Sequence, residues 1–338
     1  MQVSIRKKQE SIASMVYSDL KEKGLAREED KEICMQDIRY HLQYLDEAVK
    51  NSSPALFNDY VLWADILLSN LGLPEECLKG SLQSIRNAIL ALDPESAEPA
   101  SEYIEESLKI LEMEHLSESC ITEQPLKELA EKYLELVLST EAGKARELIL
   151  SSLDSGVKVH DIYRYVFEPV QHEIGRLWQI NHISVAHEHY CTSVTQMIMS
   201  ELYPYIYRAS ERKDLKLLAT CVNNELHEIG IRMVSDFFEM NGWDSVYLGS
   251  NTPPNDITGM VSETEPEVLA ISATMTFNIG HVKEIIDKVR ELDPEPAVMV
   301  GGYPFNIDTS LWKKVGADMH AVNASGAVKV AEEFLEVG

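Results

Sequence analysis

Residues 213–338 alternate short apolar runs with amphipathic helical runs, and this alternation limits the possible folds more than any other feature of the chain. The five strand-like runs are LKLLATCV, DSVYLG, EVLAISAT, AVMVGG and DMHAVN. Strands that alternate with helices predict an α/β domain with a doubly wound, five-stranded parallel sheet, of the flavodoxin-like or Rossmann-like class. Such sheets hold ligands at the carboxyl ends of their strands, where the strand order reverses.

The rest of the chain has helical periodicity throughout. Residues 1–118 predict an all-α N-terminal domain, because apolar residues recur there at three and four spacing. Residues 119–212 contain four helical patterns joined by short links, which favours an antiparallel four-helix bundle. Ser184 is the expected N-cap of the fourth of these helices. We therefore predict three domains: a helical sensory or interaction domain, a bundle, and the α/β domain at 213–338.

The composition limits the kinds of molecule that this chain can bind. The formal net charge is −26, from 30 basic and 56 acidic residues, and a surface this acidic repels DNA and anionic lipid. The N-terminal segment also lacks a basic recognition helix, so we expect neither direct DNA binding nor membrane binding. The five cysteines are scattered and form no CxxC pair, which is typical of free thiols in a reducing cytoplasm. No apolar run is long enough to span a bilayer.

Three short pieces follow three of the predicted strands. They are E-x-H-x-x-G (Glu225, His227 and Gly230), Ser272-Ala273-Thr274, and Gly301-Gly302. The first two pieces are separated by 41 residues (231–271) and the last two by 26 residues (275–300). A histidine near a helix start is usually a solvated residue or a cap, so the first piece alone is a weak signal. All three pieces lie at carboxyl ends of strands, where this kind of sheet holds a ligand.

Together these pieces resemble the cobalamin-binding domain of methionine synthase, corrinoid methyl carriers, cobalamin mutases and B12-dependent photoreceptors. The signature of those proteins is D-x-H-x-x-G, S-x-L and G-G at these spacings. The resemblance implies a bound adenosylcobalamin or methylcobalamin with His227 as the lower cobalt ligand. It also implies that Ser272, Thr274 and the paired glycines line the channel for the displaced nucleotide tail.

The chemistry of the residues agrees with this resemblance. A neutral imidazole suits cobalt, and a ligating histidine usually donates its second N–H to a carboxylate. Glu225 lies two residues before His227 and can accept that N–H. The sequence departs from the signature twice, because Glu225 replaces the commoner Asp and Thr274 replaces the commoner Leu. Glutamate at this position resembles the photoreceptor branch more than the methyl-transfer branch.

The bundle contains a second pattern, within LWQINHISVAHEHYC. Trp178 is followed by nine residues (179–187) and then by Glu188 and His189. This W-x9-E-H spacing resembles the signature of CarH-type light-responsive regulators and of the related AerR-type antirepressors. In those families a four-helix cap covers the upper cobalamin face. The resemblance implies that Trp178 lies over the upper axial group with Glu188 and His189 close by.

One position departs from the light-responsive pattern. In DNA-binding CarH-type regulators a histidine directly follows the tryptophan and becomes the second axial ligand after photolysis. Here that position is Gln179, and glutamine is a poor cobalt ligand beside imidazole. His182 or His189 could take the role, or the upper site stays open to water or a small ligand. A zinc site at the clustered histidines is not expected, because no Cys or Asp cluster accompanies them.

These observations predict a cytoplasmic cobalamin-binding sensory protein rather than an enzyme, with a B12-dependent photoreceptor or regulator as the first hypothesis. The bundle would sense the upper axial group and signal to a protein partner, and a homo-oligomer is an open option. One alternative is a corrinoid methyl carrier of a methyltransferase system. Another is a dual sensor with a second tetrapyrrole, a bilin or haem, on the N-terminal domain, where His41 is the candidate ligand.

Overall fold

The computed structural model describes residues 5–92, 94, 97–113, 118–207, 211–293 and 295–337. The chain divides into two compact units, Met1–Ser117 and Glu118–Gly338. The second unit holds both the predicted bundle and the predicted α/β domain, whose boundary at residues 212 and 213 falls between the last bundle helix and the first strand. None of the described helices combines the length and the apolar character that a membrane span needs.

The first unit is helical, as predicted. After a 3₁₀ turn at Ile5–Lys8, its helices are α1 (Gln9–Glu22), α2 (Lys31–Lys50), α3 (Pro54–Asn70), α4 (Glu75–Leu92) and α5 (Ala97–Ile110). Helix α2 shows why these segments fold as helices, because Met35, Ile38, Leu42 and Leu45 recur at three and four spacing and are all buried. Gly72, with φ of +81°, lies in the turn that ends α3 before α4 begins.

The second unit begins with the predicted bundle. Its helices are α6 (Lys127–Leu138), α7 (Ala142–Asp154), α8 (Val159–Ile162), α9 (Glu168–Gln179), α10 (Val185–Glu201) and α11 (Tyr203–Ile206). A π-helical turn at Tyr163–Phe167 joins α8 to α9, so the third predicted helix is one continuous rod with a local change of pitch. Fully buried side chains on different helices form the bundle core, among them Tyr133, Phe167 and Ile198.

The α/β domain confirms the predicted fold class. Its strands are β1 (Lys216–Cys221), β2 (Asp244–Gly249), β3 (Val268–Ser272), β4 (Ala297–Gly301) and β5 (Met319–His320). All paired strands are parallel, in the order β2-β1-β3-β4-β5. The direction of winding therefore reverses between β1 and β3, and the loops after these two strands border the crevice where doubly wound sheets hold ligands.

Helices cover both faces of this sheet. They are α12 (Ile229–Met240), α13 (Pro254–Thr264), α14 (Ile279–Val289), α15 (Tyr303–Ile307), α16 (Leu311–Val315) and α17 (Ala324–Val337). Between β4 and β5 the sequence predicts one helix, TSLWKKVGA, which corresponds to α16. The structure adds α15 before it, and α15 ends where Asp308 leaves the helical conformation with φ of −114° and ψ of +96°. The buried strands explain the near-continuous apolar runs in the sequence.

Candidate functional site

The strand register brings the three sequence pieces to one edge of the sheet. Cys221, the last residue of β1, pairs with Ser272 of β3, and Ser272 pairs with Gly301 of β4. The loops that follow these three residues therefore leave the sheet side by side. One of them carries Glu225 and His227, which the sequence separates from Ser272 by more than forty positions.

Glu225 joins two of these loops. Its side chain is fully buried, and its Oε1 accepts hydrogen bonds from Nδ1 of His227 at 2.5 Å and from the backbone N–H of His227 at 3.1 Å. Its Oε2 accepts from the backbone N–H of Thr274 at 2.9 Å and of Met275 at 3.0 Å, and from Nδ2 of Asn278 at 3.0 Å. One carboxylate thus connects the loop after β1 to the loop after β3.

These hydrogen bonds set the protonation of the pair. Burial alone would raise the pKa of Glu225, but the bonds from His227, Met275 and Asn278 lower it to about 2. The same bond to Glu225 raises the pKa of His227, against the opposing effect of burial. An ionised carboxylate only accepts, so in the neutral imidazole Nδ1 of His227 carries the proton and Nε2 has the free lone pair. The imidazole is 58% exposed, so it can present that lone pair to a metal.

The glycines of the site fit a bulky bound group. Gly302 has φ of +105°, and a Cβ there would overlap the carbonyl group of Ala273, so only glycine lets the turns after β3 and β4 lie this close. Gly230, in the first turn of α12, is exposed, and a Cβ at this position would meet no other atom of the chain within 4 Å. The chain's own packing therefore does not require glycine at 230, whereas close approach of a ligand would.

The other predicted tail-channel residues lie at the same edge. Ser272 is buried, with 7% of its surface exposed, and Thr274 is half-buried beside it. Three apolar side chains in the segments that follow β1, β4 and β5 face solvent at this edge: Leu226, Tyr303 and Val322 are 72%, 51% and 64% exposed. Exposed apolar groups around polar ones are typical of a ligand surface.

The first turn of α10 holds the predicted upper-face pair. Ser184 caps the helix, as predicted, by accepting from the backbone N–H of His187. Glu188 bonds through Oε2 to Nδ1 of His189 at 2.6 Å and accepts through Oε1 from the Thr192 hydroxyl at 3.1 Å. The charge of Glu188 also contributes to the raised pKa of His227. Gln196 of the same helix donates a hydrogen bond to Glu228, the residue after His227, so α10 lies beside the loop that carries the candidate metal ligand.

The remaining residues of the W-x9-E-H pattern lie at the same end of the bundle. Trp178 and Gln179 end α9 and are half-buried, while His182 is exposed in the turn before α10. The described residues contain no group of three His, Cys, Asp or Glu side chains that could hold a metal ion. A cobalt held by one protein ligand needs no such group.

His41, the candidate ligand for a second tetrapyrrole, lies in the core of the first unit. It is 4% exposed, and its Nδ1 is 2.8 Å from the hydroxyl of Tyr60. Burial lowers its pKa to about 4, so the imidazole is neutral at physiological pH. This arrangement is that of an ordinary core histidine, and it adds no support for a second cofactor.

Sequence reasoning missed Asn278, which is 1% exposed and donates to both Glu225 and the backbone carbonyl of Asn224. An asparagine before a helix is usually read as an N-cap, so its local pattern does not indicate that the side chain turns towards another loop. Sequence reasoning also missed Gln171 of α9, whose amide lies between the hydroxyls of Thr192 and Thr195 and so supports the face that carries Glu188.

The chain is similar to known cobalamin-binding proteins. Two family models, both described as B12 binding domains, match residues 129–203 and residues 215–329. Dimethylamine corrinoid protein 3 of Methanosarcina mazei is 32% identical over 117 residues, which is 34% of this chain and 68% of that protein. The chain belongs to the B12-binding corrinoid protein family. Cobalamin is therefore the cofactor of this chain.

Other corrinoid proteins match shorter or longer parts of the chain. Dimethylamine corrinoid protein 3 of Methanosarcina acetivorans is 33% identical over 37% of this chain and 59% of its own length. The chain spans 53% to 59% of several such relatives. The trimethylamine corrinoid protein of Methanosarcina barkeri is 25% identical over 62% of this chain and 98% of its own length. The monomethylamine corrinoid protein of Methanosarcina barkeri shares the fold, with a TM-score of 0.55, 22% identity and coverage of 63% of this chain and all of that one.

Proposed function

We propose that this chain is a corrinoid methyl carrier, which accepts a methyl group from one methyltransferase partner and delivers it to another. The observation that carries the proposal is the Glu225–His227 pair, held ready to ligate cobalt beneath a bundle that resembles those of the methylamine corrinoid proteins. The relatives favour this alternative over the photoreceptor that the sequence alone placed first.

Cobalamin, when bound, supplies a cobalt centre that can take up and release a methyl group. The protein's part is to hold the cofactor and to control its lower ligand. Glu225 would keep the proton of the neutral His227 imidazole on Nδ1, which would leave Nε2 free to ligate cobalt. The amides of Thr274 and Met275 keep Glu225 ionised, because they favour its charged form. The pair is therefore a fixed donor at the lower face.

The partner in this proposal is a methyltransferase, and the names of the relatives suggest a methylated amine as the methyl source. A carrier does not itself catalyse the transfer, so the chain would be a component of an enzyme system. Its acidic character, with a net charge of −26, favours a partner with a basic docking surface.

The test uses the full chain loaded with hydroxocobalamin and reduced with titanium(III) citrate. Methyl iodide should convert the reduced cofactor to the methylcobalamin spectrum, and a methylamine methyltransferase with its amine should do the same. His227→Ala should lose the spectrum of histidine-ligated cobalamin, whereas the matched variant His281→Ala on α14 should keep it. Failure with methyl iodide would remove the carrier function. Failure with mono-, di- and trimethylamine enzymes alone would remove only the amine as the methyl source.

A light sensor remains the second candidate, because Trp178 and the Glu188–His189 pair keep the spacing of the light-responsive regulators. Every alkylcobalamin loses its alkyl group in light, so a colour change alone does not distinguish the two functions. The deciding measurement is the hydrodynamic size of the adenosylcobalamin-loaded chain in the dark and after green light. A change of size on illumination would favour the sensor, and an unchanged size would favour the carrier.

A further inference from the structure

The loop after strand β2 contacts the two residues that come shortly before His227, the candidate cobalt ligand. Asn251 lies two positions after the end of β2. Its Oδ1 accepts a hydrogen bond from the backbone N–H of Asn224 at 2.8 Å. Its own backbone N–H donates to the backbone carbonyl of Glu225 at 2.9 Å. One asparagine therefore holds the first part of the loop that carries His227.

The same end of β2 also contacts the residue directly after His227. The hydroxyl of Tyr247 donates to Oε2 of Glu228 at 3.1 Å. Gly249 lies against the same oxygen, since a Cβ at this position would be 3.4 Å from it. His227 is therefore held from both sides in sequence by one strand end, in addition to the bonds that Glu225 makes to the loop after β3.

An irregularity in β2 redirects the strand towards this loop. Ala219 of β1 pairs with Tyr247, but the next residue of β1 pairs with Gly249. Strand β2 thus has one extra residue at this point, Leu248, which forms a β-bulge. Bulges change the direction of the chain that follows them and are frequent next to functional sites. Gly249 then turns the chain further, with φ of +85°.

Both asparagines of the contact have a left-handed backbone. The φ angle is +63° at Asn224 and +54° at Asn251. Asparagine and aspartate adopt this conformation more easily than other residues with a Cβ, because their short polar side chains can form local hydrogen bonds. At position 251, alanine would lose both this tolerance and the Oδ1 acceptor, glycine would lose only the acceptor, and aspartate would keep both. These substitutions therefore separate backbone strain from the hydrogen bond.

We propose that Asn251 is a positioning residue for the lower cobalt ligand, which holds the loop of His227 where Nε2 can ligate cobalt. Asn251 acts through Asn224 and Glu225 and does not touch the cofactor in this proposal. The proposal rests on the part of the proposed function that makes His227 the lower ligand, and not on methyl transfer. An unchanged spectrum in His227→Ala would remove the ligand itself, whereas a changed spectrum there with no effect at Asn251 would remove only the role of Asn251.

The test measures the fraction of histidine-ligated cobalamin in the full chain, from absorption spectra of the methylcobalamin form and electron paramagnetic resonance of the Co(II) form. Changes around metal-bound histidines cost about 10- to 100-fold, and Asn251 acts one step further away. We therefore expect Asn251→Ala to shift the equilibrium away from histidine ligation by about tenfold, equivalent to about 1.4 kcal/mol. Asn251→Gly should shift it by about threefold, because it loses only a neutral hydrogen bond. Asn251→Asp should stay close to wild type.

Asn255→Ala is the matched control. Asn255 lies in the first turn of α13, four positions further along, and its Oδ1 accepts from Nζ of Lys288 on α14 at 3.1 Å. This variant should keep the wild-type fraction of histidine ligation. An equal loss in Asn255→Ala and Asn251→Ala would overturn the proposal, because the effect would then be a general one of the loop after β2.

A second measurement uses the full chain without cobalamin. The backbone amide of Asn224 should exchange its hydrogen faster in Asn251→Ala than in wild type, because it has lost its acceptor. If Asn251→Ala does not fold, Asn251→Gly and Asn251→Asp decide in the same two assays. Wild-type ligation in the alanine and glycine variants would overturn the proposal. So would a loss in Asn251→Asp as large as that in Asn251→Gly, since aspartate keeps the acceptor.

Discussion

Replacing Glu225 by Gln changes one atom and tests the whole site. In the wild type Oε2 accepts three N–H donors, from Thr274, Met275 and Asn278, and Oε1 accepts from Nδ1 of His227. A glutamine can satisfy the three donors only with its oxygen, which turns its NH₂ towards His227. Nδ1 would then have to accept, so the ring proton would move to Nε2. A protonated Nε2 cannot ligate cobalt.

The opposite orientation of the glutamine is no better. Its oxygen would then face His227, but its NH₂ would meet three N–H donors inside a buried space. Hydrogen bonds to charged groups are worth about 1.5–3 kcal/mol each, and several would be lost together. Changes to the groups that orient metal-bound histidines typically cost about 10- to 100-fold in affinity. Because neither orientation serves both sides, we expect about a 100-fold shift away from histidine ligation, or about 2.8 kcal/mol.

The assay measures whether a histidine is the lower ligand of the cobalamin bound to the full chain. Absorption spectra of the methylcobalamin-loaded protein report the fraction with histidine bound. Electron paramagnetic resonance of the Co(II) form reports nitrogen coordination directly. Glu284→Gln is the matched control, since Glu284 also lies beside a histidine, His281, at 3.9 Å, but on α14 away from the site. If Glu225→Gln keeps the wild-type fraction of histidine ligation, the reasoning about the tautomer is wrong.

Three further outcomes follow from the structure. Asn278→Ala removes one hydrogen-bond donor to Glu225 and should weaken histidine ligation by about tenfold, as measured in the same spectra. If the fraction of histidine-bound cobalamin does not change, Asn278 only packs against its neighbours. Gly302→Ala would force a Cβ into the carbonyl group of Ala273 at φ of +105°. Because such strain costs roughly 1–3 kcal/mol or more, the variant should have a lower thermal unfolding midpoint and retain less cobalamin. Equal midpoints for wild type and variant would contradict the predicted strain. Burial raises the pKa of Asp236 from 3.8 to about 6, although Tyr163, Tyr203 and Arg232 oppose this and Glu239 adds to it. The folded state therefore binds a proton that the unfolded chain has released between these pH values, so the free energy of unfolding falls as pH rises from about 4 to 6, by up to about 3 kcal/mol. Asp236→Asn should remove that slope in urea titrations at several pH values, and parallel profiles for wild type and variant would refute it.

Most of the fold could be predicted, because each helix and strand has a recognisable pattern within its own stretch of sequence. Alternating strand and helix patterns predicted the five-stranded parallel sheet, and β1 to β5 fall within the predicted runs. Short links predicted the bundle, and Ser184 caps α10 as expected. The bundle and the α/β domain form one compact unit rather than two, which the sequence could not show. The hydrogen bonds that join them include those of Gln196, Ser200 and Tyr163, and these residue types occur on any helix surface.

The site was predictable where its residues follow strands and unpredictable where side chains cross between loops. Parallel strands end at one edge, so Glu225, Ser272 and Gly301 had to lie near one another once the sheet was recognised. Asn278 contacts Glu225 across 53 positions of sequence, and nothing in its local pattern indicates a partner that far away. The unpaired oxygen of Asp236 is likewise visible only when every neighbour is in place.

The glutamate at position 225 shows how the structure changes an inference that rests on a family pattern. Glutamate in place of the commoner aspartate resembled the photoreceptor branch. The structure gives a physical reason that does not involve light, because this one side chain reaches both Nδ1 of His227 and the donors of the loop after β3. A shorter carboxylate would have to lose one of these sets of contacts unless the loops moved together. Glu225 is therefore explained by the distance it spans between two loops, and the Glu225→Gln experiment tests that span whichever function the bound cobalamin serves.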